Sequence, residues 1–362
     1  MSQRPSGSWP WVLPKCVIMI RAAITSVGHF LPEERLTNAD LEKLVDTSDE
    51  WIRARTGIEE RRILRDKDKA TTYMAIEASK EALEKRGMDA GELDVIIVAT
   101  VTPDMFFPAN ACQVQAALGA PKAWGFDLSA ACSGFLFGIN TAACLIESGR
   151  YRSVLLVGSD KMSSITDYTD RNTCVLFGDA AAAVLLEPDT NGNGLIDSVL
   201  RTDGNNWEAL CMQGGGSLNP PTHETVDRKM HYIHQDGRTV FRFAVSAFIN
   251  VAAEVMQRNG LHSEDIRYFA PHQANQRIID AAARRMGISS DRVMLNISRY
   301  GNTTAATIPL CLYDWEHELR RGDNLVLAAF GGGYTWGAAY VRWAYDGVAR
   351  PPVAAKEAEA VA

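Results

Sequence analysis

Hydrophobic residues form two kinds of pattern that alternate along most of the chain. Continuous apolar runs of strand length, such as LDVIIVAT at 93–100 and SVLLVG at 153–158, have no polar face, which is typical of strands buried on both sides. Longer segments carry apolar residues at spacings of three and four, as at 70–86, and predict helices. Strands and helices that alternate in this way predict an α/β fold with buried sheets.

The same patterns place the individual elements. Strands are predicted at 20–30, 93–100, 153–158, 180–186, 266–270, 292–296, 324–329 and 336–343. Helices are predicted at 38–45, 70–86, 109–118, 240–259 and 303–319, in a segment that opens near Cys132, and in a segment that carries Arg277, Arg284 and Arg285. In each half a helix that opens at a polar candidate residue is followed by a buried strand, which suggests an internal duplication.

Turn and composition signals divide the chain. The sequence Asn191-Gly192-Asn193-Gly194 is a turn signal, and it predicts a boundary between an N-terminal half (20–194) and a C-terminal half (195–347). Residues 1–19 are expected to form a loosely held N-terminal extension. The Pro-, Ala- and Glu-rich segment 348–362 is expected to be a disordered tail.

Composition narrows the class of protein. The 362 residues are 46% hydrophobic and 22% charged, as in an ordinary soluble globular chain. A net charge of −7 and the lack of a basic run argue against a nucleic-acid partner. The apolar segment 9–20 is interrupted and too short to span a membrane, and no other segment is expected to reach membrane length. Seven scattered cysteines without metal-ligand spacing favour free thiols in a reducing, cytoplasmic compartment.

The stretch WGFDLSAACSGFLFGINTAACLIESG (124–149) gives the first candidate for chemistry. Its small residues lead into a helical pattern that stops at Gly149, so Cys132 lies at or near the first turn of a helix. The positive end of the helix dipole is expected to favour the thiolate of Cys132. The alternative is a buried cysteine in a small-residue core helix, and its position alone does not decide between them.

Two further stretches combine polar residues with element ends. In APHQAN (270–275), His272 directly follows a predicted strand, and in RYGNTT (299–304), Asn302 stands at a predicted helix start. Taken singly, His272 is also compatible with a hydrogen-bonded loop histidine, and Asn302 with a plain helix cap.

Taken together, these motifs resemble a known family. DLSAACSGF around Cys132, APHQAN around His272, YGNTTAA around Asn302, FGGGYTWGAA from Phe330 and TSDEWIRARTGI from Thr47 are similar to 3-oxoacyl-[acyl-carrier-protein] synthase III of the thiolase superfamily. The resemblance covers residues 20–345. It implies the thiolase fold, five layers α-β-α-β-α built from two similar halves, and a homodimer.

The resemblance also implies an activity. It implies that an acyl-CoA primer acylates Cys132, and that malonyl on acyl carrier protein then loses CO₂ and condenses with the acyl group. Cys132, His272 and Asn302 are the implied catalytic residues, and the backbone amides of Cys132 and Gly332 the implied oxyanion hole. No metal or redox cofactor is implied.

Binding roles are implied by the same match. Coenzyme A would be held by Thr47, Trp51, Arg55 and Arg171. Acyl carrier protein would be bound by Gln273, Ala274, Asn275, Gln276, Arg277, Arg242, Arg284 and Arg285. Phe107, near the expected dimer seam, would contribute to the acyl pocket. Arg238 departs from the asparagine that some relatives carry near the pantetheine channel, so the coenzyme contacts there stay open.

Three other activities compete with this one. A related synthase that primes a polyketide fits the same Cys–His–Asn set. Acyl transfer to a hydroxyl is disfavoured by the intact set, and a non-decarboxylating thiolase is disfavoured because no second catalytic cysteine can be identified.

Overall fold

The computed structural model describes residues 19–347. The expected N-terminal extension, apart from Met19, and the expected tail at 348–362 lie outside the described residues.

Thirteen strands and ten α-helices are described within residues 19–347. The strands are β1 (Arg21–Phe30), β2 (Arg35–Thr37), β3 (Glu60–Arg62), β4 (Val95–Ala99), β5 (Trp124–Leu128), β6 (Val154–Asp160), β7 (Ala180–Asp189), β8 (Gly194–Thr202), β9 (Leu210–Met212), β10 (Ile233–Gln235), β11 (Tyr268–Pro271), β12 (Asn324–Gly331) and β13 (Thr335–Arg342). The helices are α1 (Asn38–Leu41), α2 (Asp49–Thr56), α3 (Thr71–Arg86), α4 (Asn110–Leu118), α5 (Gly134–Glu147), α6 (His223–Asp227), α7 (Gly237–Arg258), α8 (Gln276–Met286), α9 (Ile297–Tyr300) and α10 (Thr307–Trp315).

Two large sheets organise these elements. The first has the order β1-β7-β6-β4-β5, with β6, β4 and β5 parallel to one another and β1 and β7 antiparallel to their neighbours. The second has the order β11-β12-β13-β8, in which β11 and β12 are parallel and the other pairs antiparallel. The strands of the first sheet all precede the turn at 190–193, and those of the second all follow it.

Neighbouring side chains along each strand face opposite sides of the sheet, and the cores on those sides show that the elements form five layers. In β4, Ile97 faces a core shared with α5 and α10, whereas Ile96 faces a core shared with α3 and α4. In β12, Leu327 faces the same central core, whereas Val326 packs with α7 and α8. The order is therefore α3/α4, first sheet, α5/α10, second sheet, α7/α8, which confirms the expected α-β-α-β-α arrangement.

Helix α7 is long and apolar enough to cross a membrane by length and composition alone. The expectation that no segment reaches that length is therefore wrong. Its buried residues Val240, Ala244, Phe248, Val251 and Val255 recur every three or four positions and pack on the outer face of the second sheet. A one-sided stripe of this kind is typical of the core helix of a globular protein.

The predicted strand at 292–296 is wrong. This segment makes a single parallel bridge between Phe269 and Val293. The buried Gln273 side chain supplies the next hydrogen bonds instead: its Nε2 donates to the Met294 carbonyl oxygen at 3.0 Å, and its Oε1 accepts from the Asn296 and Ile297 amides at 3.1 Å. A side-chain amide thus replaces the strand ladder.

Two predicted helices have different boundaries in the structure. The helix expected at 38–45 ends at Leu41, and the helix expected at 303–319 consists of α10 flanked by two short 3-10 turns. The pattern missed β5 and β8, which contain polar residues where a buried strand would be apolar.

Candidate active site

Cys132 lies in a tight turn between the first sheet and the central helix layer. The 3-10 turn Ala131–Ser133 leads directly into α5, and Ala131 takes the left-handed conformation with φ 47°. Cys132 is 7% exposed. The small residues of this stretch thus form a sharp turn that brings the sulfur to the helix start.

The second sheet closes on this turn from the other half of the chain. An added Cβ on Gly331 would lie 2.6 Å from the Cys132 amide nitrogen, so only glycine permits this approach. The Ser133 hydroxyl donates to the Thr335 carbonyl oxygen at 2.9 Å, and the Thr335 hydroxyl donates to the Ala130 carbonyl oxygen at 2.8 Å. These bonds fix the glycine-rich turn after β12 against the cysteine turn.

His272 follows the end of β11. Its amide donates to the Ala328 carbonyl oxygen at 2.8 Å, which extends the pairing of β11 with β12 by one residue. Both ring nitrogens are buried, and neither has a hydrogen-bond partner among residues 19–347. Burial lowers the pKa of His272 to about 3, so the ring is neutral. Its two unsatisfied nitrogens are free for a ligand or a proton.

Asn302 is held by both its backbone and its side chain. Its amide donates to the Leu176 carbonyl oxygen at 2.9 Å, and its own carbonyl accepts from the Gly178 amide at 3.0 Å. Its Oδ1 accepts from the Thr304 amide at 2.9 Å. The side-chain amide is thereby oriented, and a hydrogen bond from Asn302 reaches the Cys132 thiol.

One cavity of about 760 Å³ joins the three residues. Cys132, His272 and Asn302 all line it and are each less than 9% exposed, whereas Trp51 and Arg55 line it from more exposed positions. Gly332 also lines it. A buried thiol, an imidazole and an amide from both halves therefore meet inside one cavity with a solvent-facing mouth.

The expectation that Cys132 favours the thiolate is wrong in this structure. Burial, and secondarily the negative Asp160, raise the pKa of the thiol to about 12, although the hydrogen bond from Asn302 opposes the rise. Desolvation therefore outweighs the helix start. Cys132 rests as a thiol, and its proton must leave during any attack.

Of the residues expected to hold coenzyme A, Trp51 and Arg55 line the cavity, and Arg171 contacts Trp51. The guanidinium carbons of Arg55 and Arg171 lie 4.8 and 4.7 Å from the Trp51 ring centroid. The Thr47 hydroxyl oxygen is buried without a hydrogen-bond partner in the described chain. Arg171 contacts Trp51 directly, so a base sandwiched between them must displace the guanidinium. Arg238 lines the cavity as well.

The residues expected to contact a carrier protein separate into exposed and buried groups. Arg242, Arg277, Arg284 and Arg285 are exposed. Ala274 and Asn275 line the cavity mouth, and Gln276 is half-buried against Gly57. Gln273 is 1% exposed and fully used in internal hydrogen bonds. It cannot contact a partner, and that expectation is wrong.

Phe107 does not line the cavity of its own chain. It is 85% exposed, and its neighbour Phe106 is 74% exposed. A contribution of Phe107 to an acyl pocket across the expected dimer seam stays a prediction.

Sequence reasoning missed a group of wall residues between β8 and α7. Leu210, Cys211, Met212 and Ile233 line the cavity from β9 and β10. These two strands are three residues each, and the segment around them is polar and glycine-rich. No periodic pattern marks such short elements, so the sequence held no usable signal for them.

Comparison with known proteins identifies the family. Two family models match: 3-oxoacyl-[acyl-carrier-protein (ACP)] synthase III over residues 126–204, and the C-terminal part of the same synthase over residues 256–343. A beta-ketoacyl-[acyl-carrier-protein] synthase III from Chlorobium phaeovibrioides is 58% identical over 328 residues, which cover 90% of this chain and 100% of that protein.

Solved structures agree with this. The 3-oxoacyl-[acyl-carrier-protein] synthase III from Aquifex aeolicus has a TM-score of 0.82 at 42% identity, covering 89% of this chain and 100% of that one. The priming beta-ketosynthase of a polyketide biosynthetic pathway has a TM-score of 0.83 at 32% identity, covering 90% and 96%. With its cysteine, histidine and asparagine in one cavity, the chain belongs to the beta-ketoacyl-[acyl-carrier-protein] synthase III family.

Proposed function

We propose that this protein is the initiating condensing enzyme of fatty-acid synthesis, which joins an acyl-CoA primer to malonyl on acyl carrier protein. The products are 3-oxoacyl carrier protein, CO₂ and free coenzyme A. The observation that carries the proposal is the meeting of Cys132, His272 and Asn302 in one buried cavity. The proposed reaction requires no metal or redox cofactor. We place the enzyme in the cytoplasm.

In the first step, Cys132 attacks the primer thioester. The bond from sulfur to the acyl carbon forms, the bond from that carbon to coenzyme A breaks, and the thiol proton ends on the coenzyme A sulfur. Neutral His272, with unpartnered ring nitrogens, can carry this proton between the two sulfurs. The amides of Cys132 and Gly332 stabilise the intermediate oxyanion.

In the second step, malonyl loses CO₂ and the resulting enolate attacks the acyl group on Cys132. His272 and Asn302 donate hydrogen bonds to the enolate oxygen. Asn302 cannot act as a base, and none is needed, because decarboxylation itself generates the carbanion. Its Oδ1 is occupied by the Thr304 amide, so the donor end of its side chain is left for substrate.

Coenzyme A and acyl carrier protein, which carry the acyl and malonyl groups, bind outside the three catalytic residues. Trp51, Arg55, Arg171 and Thr47 hold the nucleotide of coenzyme A, with adenine entering between the Trp51 and Arg171 planes. The exposed arginines Arg242, Arg277, Arg284 and Arg285 form a local basic surface on a net-acidic protein, and acyl carrier protein docks there, with Ala274, Asn275 and Gln276 at the cavity mouth.

The functional unit is proposed to be a homodimer. Strand β5 is an edge strand of the first sheet, with one side of its backbone unpaired within residues 19–347. Trp124 on this strand is 43% exposed, and Phe106 and Phe107 in the loop between β4 and α4 are also exposed. Antiparallel pairing of two β5 edges would cover this apolar surface and direct Phe107 toward the partner's acyl pocket.

Cys132→Ala tests the proposal directly. The variant should form no acyl-enzyme when incubated with acetyl-CoA, because the proposed nucleophilic sulfur is removed, and intact-protein mass spectrometry would detect any adduct. Cys144→Ala is the matched control: it removes an exposed thiol from the same helix and should acylate normally. An adduct on the Cys132→Ala protein would refute the mechanism.

A panel of acetyl-, branched and longer acyl-CoA primers with malonyl carrier protein then tests the reaction. The 3-oxoacyl product should form with at least one primer. The second candidate is priming of a polyketide, which the 32%-identical priming ketosynthase favours. Preference for a polyketide carrier protein over the fatty-acid carrier protein in the same assay would select it.

A further inference from the structure

A second cavity lies beside the first, on the outer side of the second sheet. It has a volume of about 500 Å³ and is bounded by α7, by β13 and by the segment around β8. Its principal walls are Arg201, Arg242, Phe243, Glu254, Tyr334 and Trp336. Cavities of a few hundred Å³ with aromatic walls and a few polar groups are typical of small-molecule sites.

A buried hydroxyl in this wall lacks a partner. Tyr334 is 0% exposed, and its hydroxyl oxygen has no hydrogen bond to any residue of the described chain. Its ring is fixed by Phe243 and Phe330, both at a centroid distance of 5.0 Å. An unsatisfied buried hydroxyl is costly, and buried polar groups normally have a partner. A ligand in the cavity would provide one.

The charges of the cavity favour an anion. Arg201 is neutralised by Glu254, with two contacts of 2.8 and 2.7 Å between Nη2 and the carboxylate oxygens. Arg242 makes no hydrogen bond or ion pair within residues 19–347 and is exposed at the rim. These three are the charged residues lining the cavity, so one positive charge is uncompensated.

We propose that this cavity is a second ligand site, which binds a small aromatic carboxylate. The carboxylate would pair with Arg242 and accept a hydrogen bond from the Tyr334 hydroxyl, and the flat ring would pack among Phe243, Tyr334 and Trp336. This inference does not depend on the chemistry assigned to Cys132, because it rests on a different cavity, although Arg242 also belongs to the proposed docking surface for acyl carrier protein.

The two cavities share a wall. Phe330 lines the active-site cavity, and Tyr334, which packs on it, lines the second cavity. Tyr334 also follows the glycine turn that contains Gly332. The second cavity therefore borders the glycine turn of the active site.

Isothermal titration calorimetry with 2-naphthoate tests the site. Arg242→Gln should weaken binding about tenfold, because it removes a charge-assisted hydrogen bond, and Tyr334→Phe should weaken it about threefold while keeping the ring. Arg238→Gln is the matched control. It removes an equally exposed arginine one helical turn away on α7, and that arginine lines the active-site cavity instead. Its affinity should stay within about twofold of the unmodified protein.

The neutral analogue 2-naphthamide should bind about tenfold more weakly than 2-naphthoate if the charge of Arg242 is used. No binding at millimolar 2-naphthoate, unchanged affinity in Arg242→Gln, or loss of affinity in Arg238→Gln would each overturn the proposal. Thermal melting of every variant checks the fold. Arg242 is exposed, so its variant remains decisive even if Tyr334→Phe is unstable.

Discussion

The turn at 131–133 and the turn at 304–306 stand at matching places in the two halves. Each is a three-residue 3-10 turn that leads into a helix of the central layer, α5 or α10. Each begins with a non-glycine residue in the left-handed conformation, Ala131 at φ 47° and Thr304 at φ 49°. The next residue is Cys132 in the first turn and Ala305 in the second. The same backbone conformation therefore carries a nucleophile in the first turn but not in the second.

The strands that face the two turns also differ in the side chain that each presents to its turn. The end of β6 approaches the second turn, and its Asp160 carboxylate accepts from the Thr304 hydroxyl and from the Ala305 amide, the latter at 3.3 Å. The end of β12 approaches the first turn, but there Gly331 and Gly332 have no side chain to reach the Cys132 amide. A carboxylate thus accepts from the backbone donors of the second turn, whereas no side chain from β12 does so at Cys132, where the oxyanion hole is proposed.

Among the substitutions that test this difference between the two turns, Asn302→Ala is expected to have the largest effect. Acylation of Cys132 should survive, whereas condensation should fall by a factor of about 10²–10³, as for the loss of one oxyanion donor. Mass spectrometry of the acyl-enzyme and an assay of 3-oxoacyl product separate the two steps. Asn296→Ala, which removes another buried amide nearby, should leave the ratio of the two rates unchanged.

Alanine at the two close-approach glycines should affect opposite steps. A Cβ on Gly331 would lie 2.6 Å from the Cys132 amide nitrogen, and a Cβ on Gly158 would lie 2.4 Å from the Ala305 carbonyl oxygen. Each clash should cost about 1–3 kcal/mol of stability, measured by urea unfolding. Gly331→Ala should mainly slow acylation, and Gly158→Ala should mainly slow condensation. If Gly331→Ala mainly slowed condensation and Gly158→Ala mainly slowed acylation, the match of β12 with the first turn and of β6 with the second would be contradicted.

Removing the charge of Asp160 should change the reactivity of Cys132. The Asp160 carboxylate contributes to raising the pKa of the thiol, so in Asp160→Asn the pKa should fall. The pH profile of alkylation by iodoacetamide should therefore shift to lower pH. Asp179→Asn is the control, since Asp179 is also a buried carboxylate but is not a cause of the Cys132 shift. Equal profiles in both variants would show that Asp160 has only a structural role.

His272 should make the stability of the protein depend on pH without changing the turns themselves. Its folded pKa of about 3 lies below the unfolded value of 6.5, so only the unfolded chain takes up this proton between those values. The free energy of unfolding should therefore fall as pH drops below about 6.5, by up to about 1.4 kcal/mol per pH unit from this group. Urea unfolding of His272→Asn should show a shallower slope over pH 4–6 than the unmodified protein. An identical slope would mean that the buried ring is already protonated.

The sequence predicted what depends on local patterns. Continuous apolar runs located β4 and β6, and a helical pattern ending at Gly87 located α3, whose last turn closes on that glycine at φ 68°. The motifs around Cys132, His272 and Asn302 predicted that these three residues would meet, and they do line one cavity.

What the sequence could not predict depends on contacts between distant residues. The resting state of Cys132 is set by burial from both halves, which no local pattern reports. Strand β5 was missed because Gly125 and Asp127 interrupt its apolar run. Gln273 seemed available to a partner because a polar residue in a loop motif usually is, whereas its amide bonds the backbone more than twenty residues away.

The edges of the two large sheets bear on how copies of the chain can assemble. The segment at 292–296 lies along the β11 edge of the second sheet, where Val293 bridges Phe269 and the Gln273 amide binds the backbone at 294–297. At the opposite edges, β1 and β8 pack together where Gly194 meets Ala22. Strand β5 has one backbone edge unpaired within residues 19–347, so the proposed dimer would use that edge and leave it unavailable to a further strand.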